Sequence, residues 1–287
     1  MDDHSFNQLL DYFDLSWTGY RKVRKGVKKR IRRHMRETCC NNMSWYLSEL
    51  EKDRTARKEC ERLMTVPVSR FFRDPPLWIT LQLELIPGLI ESSPGRITVW
   101  SAGCACGEEV YSLKIVWHRL KERYPGLNDP DIIATDLNPE NLTRAKSGIY
   151  GSSSLRALSE KVVSSCFESG KGGRQNQVRS FLKNRIRWKK HNFLSTPPGR
   201  DFHLIFLRNN LLTYYDNRKK TEAFGNIVNA LATDGILVIG SREALPCQAS
   251  LLDPLPSHPF IFRKIKNPAA EKNYADMQKA QVKHQRL

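Results

Sequence analysis

Acids are scarce in this chain, as are paired cysteines and long apolar runs. Of its 287 residues, 47 are Lys or Arg against 30 Asp or Glu, a formal net charge of +17. No apolar run approaches the ~18 residues that a bilayer-spanning helix requires, so membrane insertion is not expected. The opening residues, MDDHSFNQLLDYF, are acidic and then amphipathic, without the positive stretch and apolar core of a secretory signal. The seven cysteines include no C-x-x-C pair and no zinc-ligand spacing. Reduced thiols, a cytoplasmic setting and no bound metal are the expectation.

What is present centres on Ile97 to Val116, ITVWSAGCACGEEVYSLKIV. It reads as a short strand (Ile97 to Trp100), a tight turn bounded by Gly103 and Gly107, and a helix opening on Glu108 and Glu109. Glycines in such a turn let backbone come close to a ligand. The next predicted strand, Asp131 to Thr135, ends on Asp136, where nucleotide-binding α/β folds place an acid for ribose hydroxyls. The turn does not fit G-x-G-x-x-G, and Gly107 is followed by Glu108 where a P-loop needs lysine. Two acids at a helix start would repel a pyrophosphate and suit a ligand carrying sulfonium and ammonium charge. S-adenosylmethionine has both charges, a ribose and no phosphate, and the electrostatics prefer it to NAD or ATP. The competing reading is that both glutamates merely offset the helix dipole.

Six segments then occur in one order: VSRFFRDPPLW (Val68 to Trp78), VWSAGCACGEEVYSL (Val99 to Leu113), ATDLNPENLTRAKSGIY (Ala134 to Tyr150), HNFL (His191 to Leu194), IFLRNNLLTYYD (Ile205 to Asp216) and ATDGILVIGSREAL (Ala232 to Leu245). In these the chain resembles the CheR family of protein-glutamate O-methyltransferases, over roughly residues 10 to 265. The resemblance implies a doubly wound, Rossmann-like α/β sheet with an all-helical N-terminal domain and a small β insert. It implies S-adenosyl-L-methionine as cofactor, S-adenosyl-L-homocysteine as product, and methyl esters on glutamates of a receptor-like signalling protein.

The positive charge is concentrated. Tyr20 to Arg36 reads YRKVRKGVKKRIRRHMR, ten bases and no acid, with Val23, Val27, Ile31 and Met35 at four-residue steps. That is a narrow apolar stripe on an otherwise basic helix, with a bend or break expected at Gly26. A solvated face, a nucleic-acid surface and a docking face for an acidic protein helix all fit the charge. The resemblance implies the third, with residues 21–36 meeting glutamate-bearing receptor helices.

The predicted organisation is a helical domain over residues 1–65, a linker and lead-in helix over 66–96, a methyltransferase domain over 97–266 and a polar tail over 267–287. The helical domain holds helices at Ser5–Phe13, over the basic segment and at Ser44–Met64, and Leu77–Ile90 forms the lead-in. Inside the third region, 152–188 is expected to be an insert with one helix and a β-hairpin ending in RIRW. A monomer is expected.

The resemblance also assigns residues. Arg73 would line the cofactor and acceptor cleft, with a surface Arg73–Asp74 pair as the alternative. Ser69 stands where the family carries a cofactor-contacting threonine. Pro67 is a departure, because some members have there an asparagine that donates to the cofactor. Gly103 forms the cradle, Glu108 matches a glutamate near the methionine end and Asp136 matches the ribose acid. Asn192 and Phe193 match a loop bordering the adenine, and Arg208 and Asn209 sit at the C-terminal edge of a buried strand, where open sheets hold ligands. Where members place a tyrosine four positions after the asparagine, this chain has Thr213. Tyr214 is the expected replacement in the cleft, unless Tyr214 and Tyr215 pack as a cluster.

The chemistry asks for little acid–base catalysis, since a glutamate with pKa ~4.3 is already a carboxylate at neutral pH. Alignment and exclusion of water do the work, with Arg73 as a positioner of the acceptor carboxylate and Tyr214 beside it. His191 and His203 read as structural. Two other functions compete: a nucleic-acid (RNA) methyltransferase, for which the [DN]-P-P-[YFW] motif of base N-methylation is missing, and a sensor that binds the cofactor without turnover.

Overall fold

Side-chain caps punctuate the N-terminal helices. In the computed structural model, which describes residues 1–66, 69–93, 95–170 and 175–266, Asp2 accepts from the Ser5 amide to start α1 (Asp3–Tyr12). A short turn, α2 (Trp17–Tyr20), precedes the basic helix α3 (Arg24–Glu37). Asn42 caps α4 (Met43–Lys52) and Asp53 caps α5 (Arg54–Met64). The single helix expected over Ser44–Met64 is therefore two: the extended backbone of Asp53 ends α4 and its side chain starts α5. The break in the basic segment also falls elsewhere than expected, at residues 21–23, while Gly26 sits in the first turn of α3.

The predicted stripe does face inward. Val27 and Ile31 are buried with Phe6, Leu9, Tyr46 and Leu63, while Val23 and Met35 lie at the margin of that core. Arg30 reaches across to donate to the carbonyls of Leu63 (2.9 Å) and Thr65 (2.8 Å), and the Tyr20 hydroxyl donates to Met64 (3.0 Å). These bonds satisfy carbonyls that the end of α5 would otherwise leave unpaired.

A continuous helical lead-in follows as α6 (Pro75–Thr80), a π-helical turn at Leu81–Leu85, and α7 (Ile86–Ser92). Then come β1 (Thr98–Ala102), α8 (Glu108–Arg123), β2 (Asp131–Asp136), α9 (Pro139–Ser147), β3 (Ile149–Gly151), α10 (Glu160–Cys166), β4 (Phe167–Ser169), β5 (Gln175–Val178) and β6 (Ile186–Lys190). The chain closes with β7 (Phe202–Leu207), α11 (Leu211–Tyr214), α12 (Asn217–Asn229), β8 (Leu231–Ile239), β9 (Leu252–Leu255) and β10 (His258–Lys264).

Seven strands form one sheet in the order β6-β2-β1-β7-β8-β10-β9. Neighbours from β6 to β8 run parallel, and β10 and β9 add an antiparallel edge. Strand order reverses between β1 and β7, and ligands of open α/β sheets lie outside the carboxyl ends of strands at such a switch point. The central parallel strands β1, β7 and β8 are buried on both faces, so Val99, Trp100, Leu204 to Leu207 and Ile236 to Ile239 read as unbroken apolar runs.

The insert differs from the expected 152–188 unit. Its three-stranded antiparallel sheet is β3-β5-β4 and starts before residue 152. Ile186 to Lys190 is not the second arm of a hairpin but the edge strand of the main sheet, in register with β2 from Ile132↔Ile186 to Asp136↔Lys190. The reason is apolar: Ile186 and Trp188, on one face of β6, pack against the main core. Residues 171–174 of the expected turn, Pro67 and the tail from 267 lie outside the described residues.

Candidate active site

At the carboxyl end of β1 the chain turns at Gly103, whose φ is +80°. A side chain there would meet Asn210 and come within 2.8 Å of Phe193 Cζ, so only glycine keeps this edge open. The amides of Gly103 and Cys104 both donate to Thr135 O at 2.8 Å, which ties the turn to the end of β2. Asp136 follows. Its Oδ2 accepts from the Ala105 amide (3.0 Å), and its Oδ1 accepts from the Asn138 amide (2.8 Å) and Asn141 Nδ2 (3.1 Å). Burial pushes the Asp136 carboxyl above its ordinary pKa, and these three hydrogen bonds oppose that shift.

Outside these strand ends lies a cavity of about 360 Å³. Its walls include Ser69, Arg73, Gly103, Asp136, Asn192, Phe193, Arg208, Asn209 and Tyr214, so nine of the ten sequence-predicted site residues meet at one place. Glu108 is the tenth and is not on the wall. It is buried at the start of α8, with Oε2 lacking a hydrogen-bond partner among the described residues. Burial pushes its carboxyl up, with its own amide and the Ser69 hydroxyl pulling the other way.

Of the two helix-start acids, the one on the wall is Glu109. Consecutive helical residues point about 100° apart, so only one of the two can face the ligand side. Nor is Glu109 a bare charge: it accepts from the Ser101 hydroxyl (2.8 Å) and from Arg208 Nη1 (3.0 Å). Glu109 thus lies on the cavity wall, sharing Arg208 with Asp74, and Glu108 lies buried beside Ser69. Arg208 also donates through Nη2 to Asp74 Oδ2 (2.6 Å) and to the Arg73 carbonyl (3.1 Å). The expected alternative of an Arg73–Asp74 surface pair does not form; Asp74 pairs with Arg208 instead.

Arg73 Nη2 donates to Asn209 Oδ1 at 3.1 Å. Tyr214 lies close enough for the Arg73 charge to lower its phenol pKa, although burial dominates and raises it. The hydroxyl therefore stays protonated at neutral pH and is available as a donor. Tyr214 lines the cavity and packs on Tyr20, ring centroids 5.0 Å apart, whereas Tyr215 packs against the separate core that holds Leu207 and Phe224. Tyr215 is held by a backbone bridge to Leu15, and burial pushes its phenol up to about 12. His191 and His203 are off the cavity wall, bonded to Thr196 O and to Thr98.

Sequence reasoning missed the contribution of the N-terminal helices to the wall, among them Tyr12, Phe13, Arg57 and Glu61. Arg57 lies over both the Tyr12 and Phe13 rings and pairs with Glu61 at 3.6 Å. No local motif marks these residues; only the docking of two distant chain segments brings them in.

A doubly wound sheet with a glycine cradle at its switch point and an acid ending the next strand defines a nucleoside-cofactor fold. Residues 67–261 match the family described as CheR methyltransferase, SAM binding domain. The chain belongs to the CheR methyltransferase family, and its cofactor is S-adenosyl-L-methionine. It is 36% identical to a chemotaxis protein methyltransferase of Listeria innocua over 200 residues, 70% of this chain and 74% of that one. It is 32% identical to the putative methyltransferase Cher3 of Pseudomonas putida over 253 residues, 83% and 88% of the two chains. Among solved structures, S-adenosylmethionine-bound CalS10 of Micromonospora echinaspora is similar at a TM-score of 0.33 and 13% identity, covering 56% of this chain and 50% of that one.

Proposed function

We propose that this methyltransferase esterifies glutamate side chains on acidic helices of a receptor-like signalling protein in the cytoplasm. The observation that carries the reading is a guanidinium, Arg73, fixed by Asn209 on the wall of the cavity that Asp136 and the Gly103 turn also line. Asp136 would hold the ribose, Asn192 and Phe193 would border the adenine, and the open edge at Gly103 leaves room for the nucleoside. Bound S-adenosylmethionine supplies an electrophilic methyl group on a sulfonium. Arg73 receives the acceptor carboxylate through charge-assisted hydrogen bonds and turns one oxygen towards that methyl. The Tyr214 hydroxyl donates from the same side, and the aromatic wall of Tyr20, Tyr214 and Tyr215 excludes water. No base is needed, because the nucleophile is already ionised.

Partner choice would come from α3. Lys25, Lys29 and Arg36 are exposed, fall on one helical face and have no ion-pair partner among the described residues. An acidic helix complements that face. A cysteine-nucleophile route to nucleic-acid methylation is disfavoured, since Cys104, the thiol on the cavity wall, is held neutral by burial. No helix among the described residues is long and apolar enough to cross a membrane.

The test is transfer of labelled methyl from S-adenosylmethionine to proteins of a lysate, followed by mild alkali, for wild type and Arg73→Ala. Alkali-labile label that falls sharply, to a measurable residual rate, in the variant supports carboxyl esters made with Arg73. Alkali-stable label, label on RNA, or cofactor binding without any transfer would overturn the proposal.

A further inference from the structure

The loop after β7 carries Arg208, Asn209 and, through α11, Tyr214, yet Asn209 adopts a left-handed backbone with φ of +56°. A non-glycine residue keeps that conformation only where its surroundings impose it. The source is the neighbouring loop after β8. Glu243 Oε2 accepts from the Asn209 amide and from the Gly240 amide, both at 2.8 Å, while Oε1 accepts from the Thr213 hydroxyl. One carboxylate thus grips the loop before α11, the middle of α11 and the end of its own strand. An ionised carboxylate, with about four acceptor sites and no donor, suits this cluster of donors.

The grip is close. A Cβ on Gly240 would come within 2.7 Å of Glu243 Oε2 and 3.0 Å of Asn209 Oδ1. Asn209 Oδ1 is the oxygen that accepts from Arg73 Nη2. A chain of three polar groups therefore runs from Glu243 through Asn209 to the guanidinium. Glu243 itself is off the cavity wall, so it acts through its neighbours and not on substrate.

We infer that Glu243 is a positioning residue of the methyl-transfer site, setting Asn209 so that Arg73 is aimed at the acceptor carboxylate. The inference rests on the proposed role of Arg73, so the experiment separates the two. Initial rates are measured with labelled S-adenosylmethionine and a synthetic glutamate-rich helical peptide for wild type, Glu243→Ala, Glu243→Gln, Arg73→Ala and the Glu243→Ala/Arg73→Ala double variant. Glutamine keeps an acceptor oxygen for the two amides and a donor for Thr213.

The expected result is a kcat loss of about tenfold in Glu243→Ala, recovery to within about twofold in Glu243→Gln, and no further loss beyond about twofold when Glu243→Ala is added to Arg73→Ala. Losses that multiply in the double variant would overturn the inference while leaving the role of Arg73 intact. So would a Glu243→Gln enzyme as impaired as Glu243→Ala. An unimpaired Arg73→Ala would overturn both. Should Glu243→Ala fail to fold, Thr213→Val removes one of the three donors. Its smaller kcat loss must likewise vanish in the Arg73→Ala background, and persistence there sinks the inference.

Discussion

Arg208 and Glu109, 99 residues apart in sequence, form a buried ion pair in which Nη1 donates to Oε2 at 3.0 Å. Asp74 completes the group from the other side, so one guanidinium joins the end of β7, the start of α8 and the lead-in to α6. Deleting one partner of a buried pair leaves an uncompensated charge, which costs about 3–5 kcal/mol in reported cases. Arg208→Met should therefore destabilise the fold by roughly 3 kcal/mol or more, read from urea unfolding. Adding Glu109→Leu to it should return part of that loss, because the stranded acid goes too. A double variant less stable than Arg208→Met would refute this account.

Asp136→Asn should weaken cofactor binding at least about tenfold, since a charged hydrogen bond to the ribose is worth roughly 1.5–3 kcal/mol. Titration calorimetry with S-adenosyl-L-homocysteine measures it. Unchanged affinity would mean that the ribose is held elsewhere.

Gly103→Ala should lose cofactor binding before it loses the fold. The positive φ costs about 1–2 kcal/mol with a Cβ, and the added methyl intrudes on Asn210 and Phe193 at the cavity edge. A variant that keeps its secondary structure by circular dichroism but shows no thermal shift with S-adenosyl-L-homocysteine is the expected outcome. Normal binding would remove the turn from the site.

Glu108 makes stability depend on pH. In the unfolded chain its carboxyl titrates near its ordinary 4.5, and in the fold burial raises that value. The native state thus holds the proton over a range where the unfolded state has released it. The stability contributed by protonated Glu108 is full below the unfolded value and is lost as pH rises through the folded one. Glu108→Gln carries no such proton, so its advantage over wild type should widen from about pH 4 towards neutrality. A constant difference in unfolding free energy across that range would contradict the assignment.

The basic face of α3 gives a prediction about partners. Lys25→Glu with Lys29→Glu should change stability by no more than about 0.5 kcal/mol, as exposed substitutions do. The pair should sharply reduce methyl transfer to an acidic helical peptide at low salt, and raising the salt should narrow the gap from wild type. Equal rates on that peptide at low salt would assign the charge to something else.

What the sequence made legible was mostly local. The helix opening on Glu108 and Glu109 and the strand from Asp131 that ends on Asp136 stand where their patterns place them. The break at Asp53 was hidden because helical spacing of apolar residues continues on both sides, and only the backbone shows that the aspartate is a cap. Strand Ile186–Lys190 was misplaced because alternation in RIRWKK looks the same in a hairpin arm and in a parallel edge strand. Glu108 and Glu109 were inseparable as letters; the direction each side chain takes from the helix assigned one to the core and the other to the cavity wall. Glu243 stood in a recognised segment without a role, because its partners come from another loop.

The short backbone bridge at Leu15 and Tyr215 bears on how the enzyme can be cut. Ser16 N donates to Tyr214 O at 2.8 Å, and Asp216 N donates to Asp14 O at 2.9 Å. The family match begins at residue 67, which invites a minimal fragment starting there. Such a fragment would strip Tyr214 of its Tyr20 neighbour, unpair the strand-like segment through Tyr215 and lay open the wall that Tyr12, Phe13 and Arg57 supply. The helical layer is therefore a wall of the cavity as well as a candidate handle for the partner, and a fragment that keeps this cavity closed has to include the first helix.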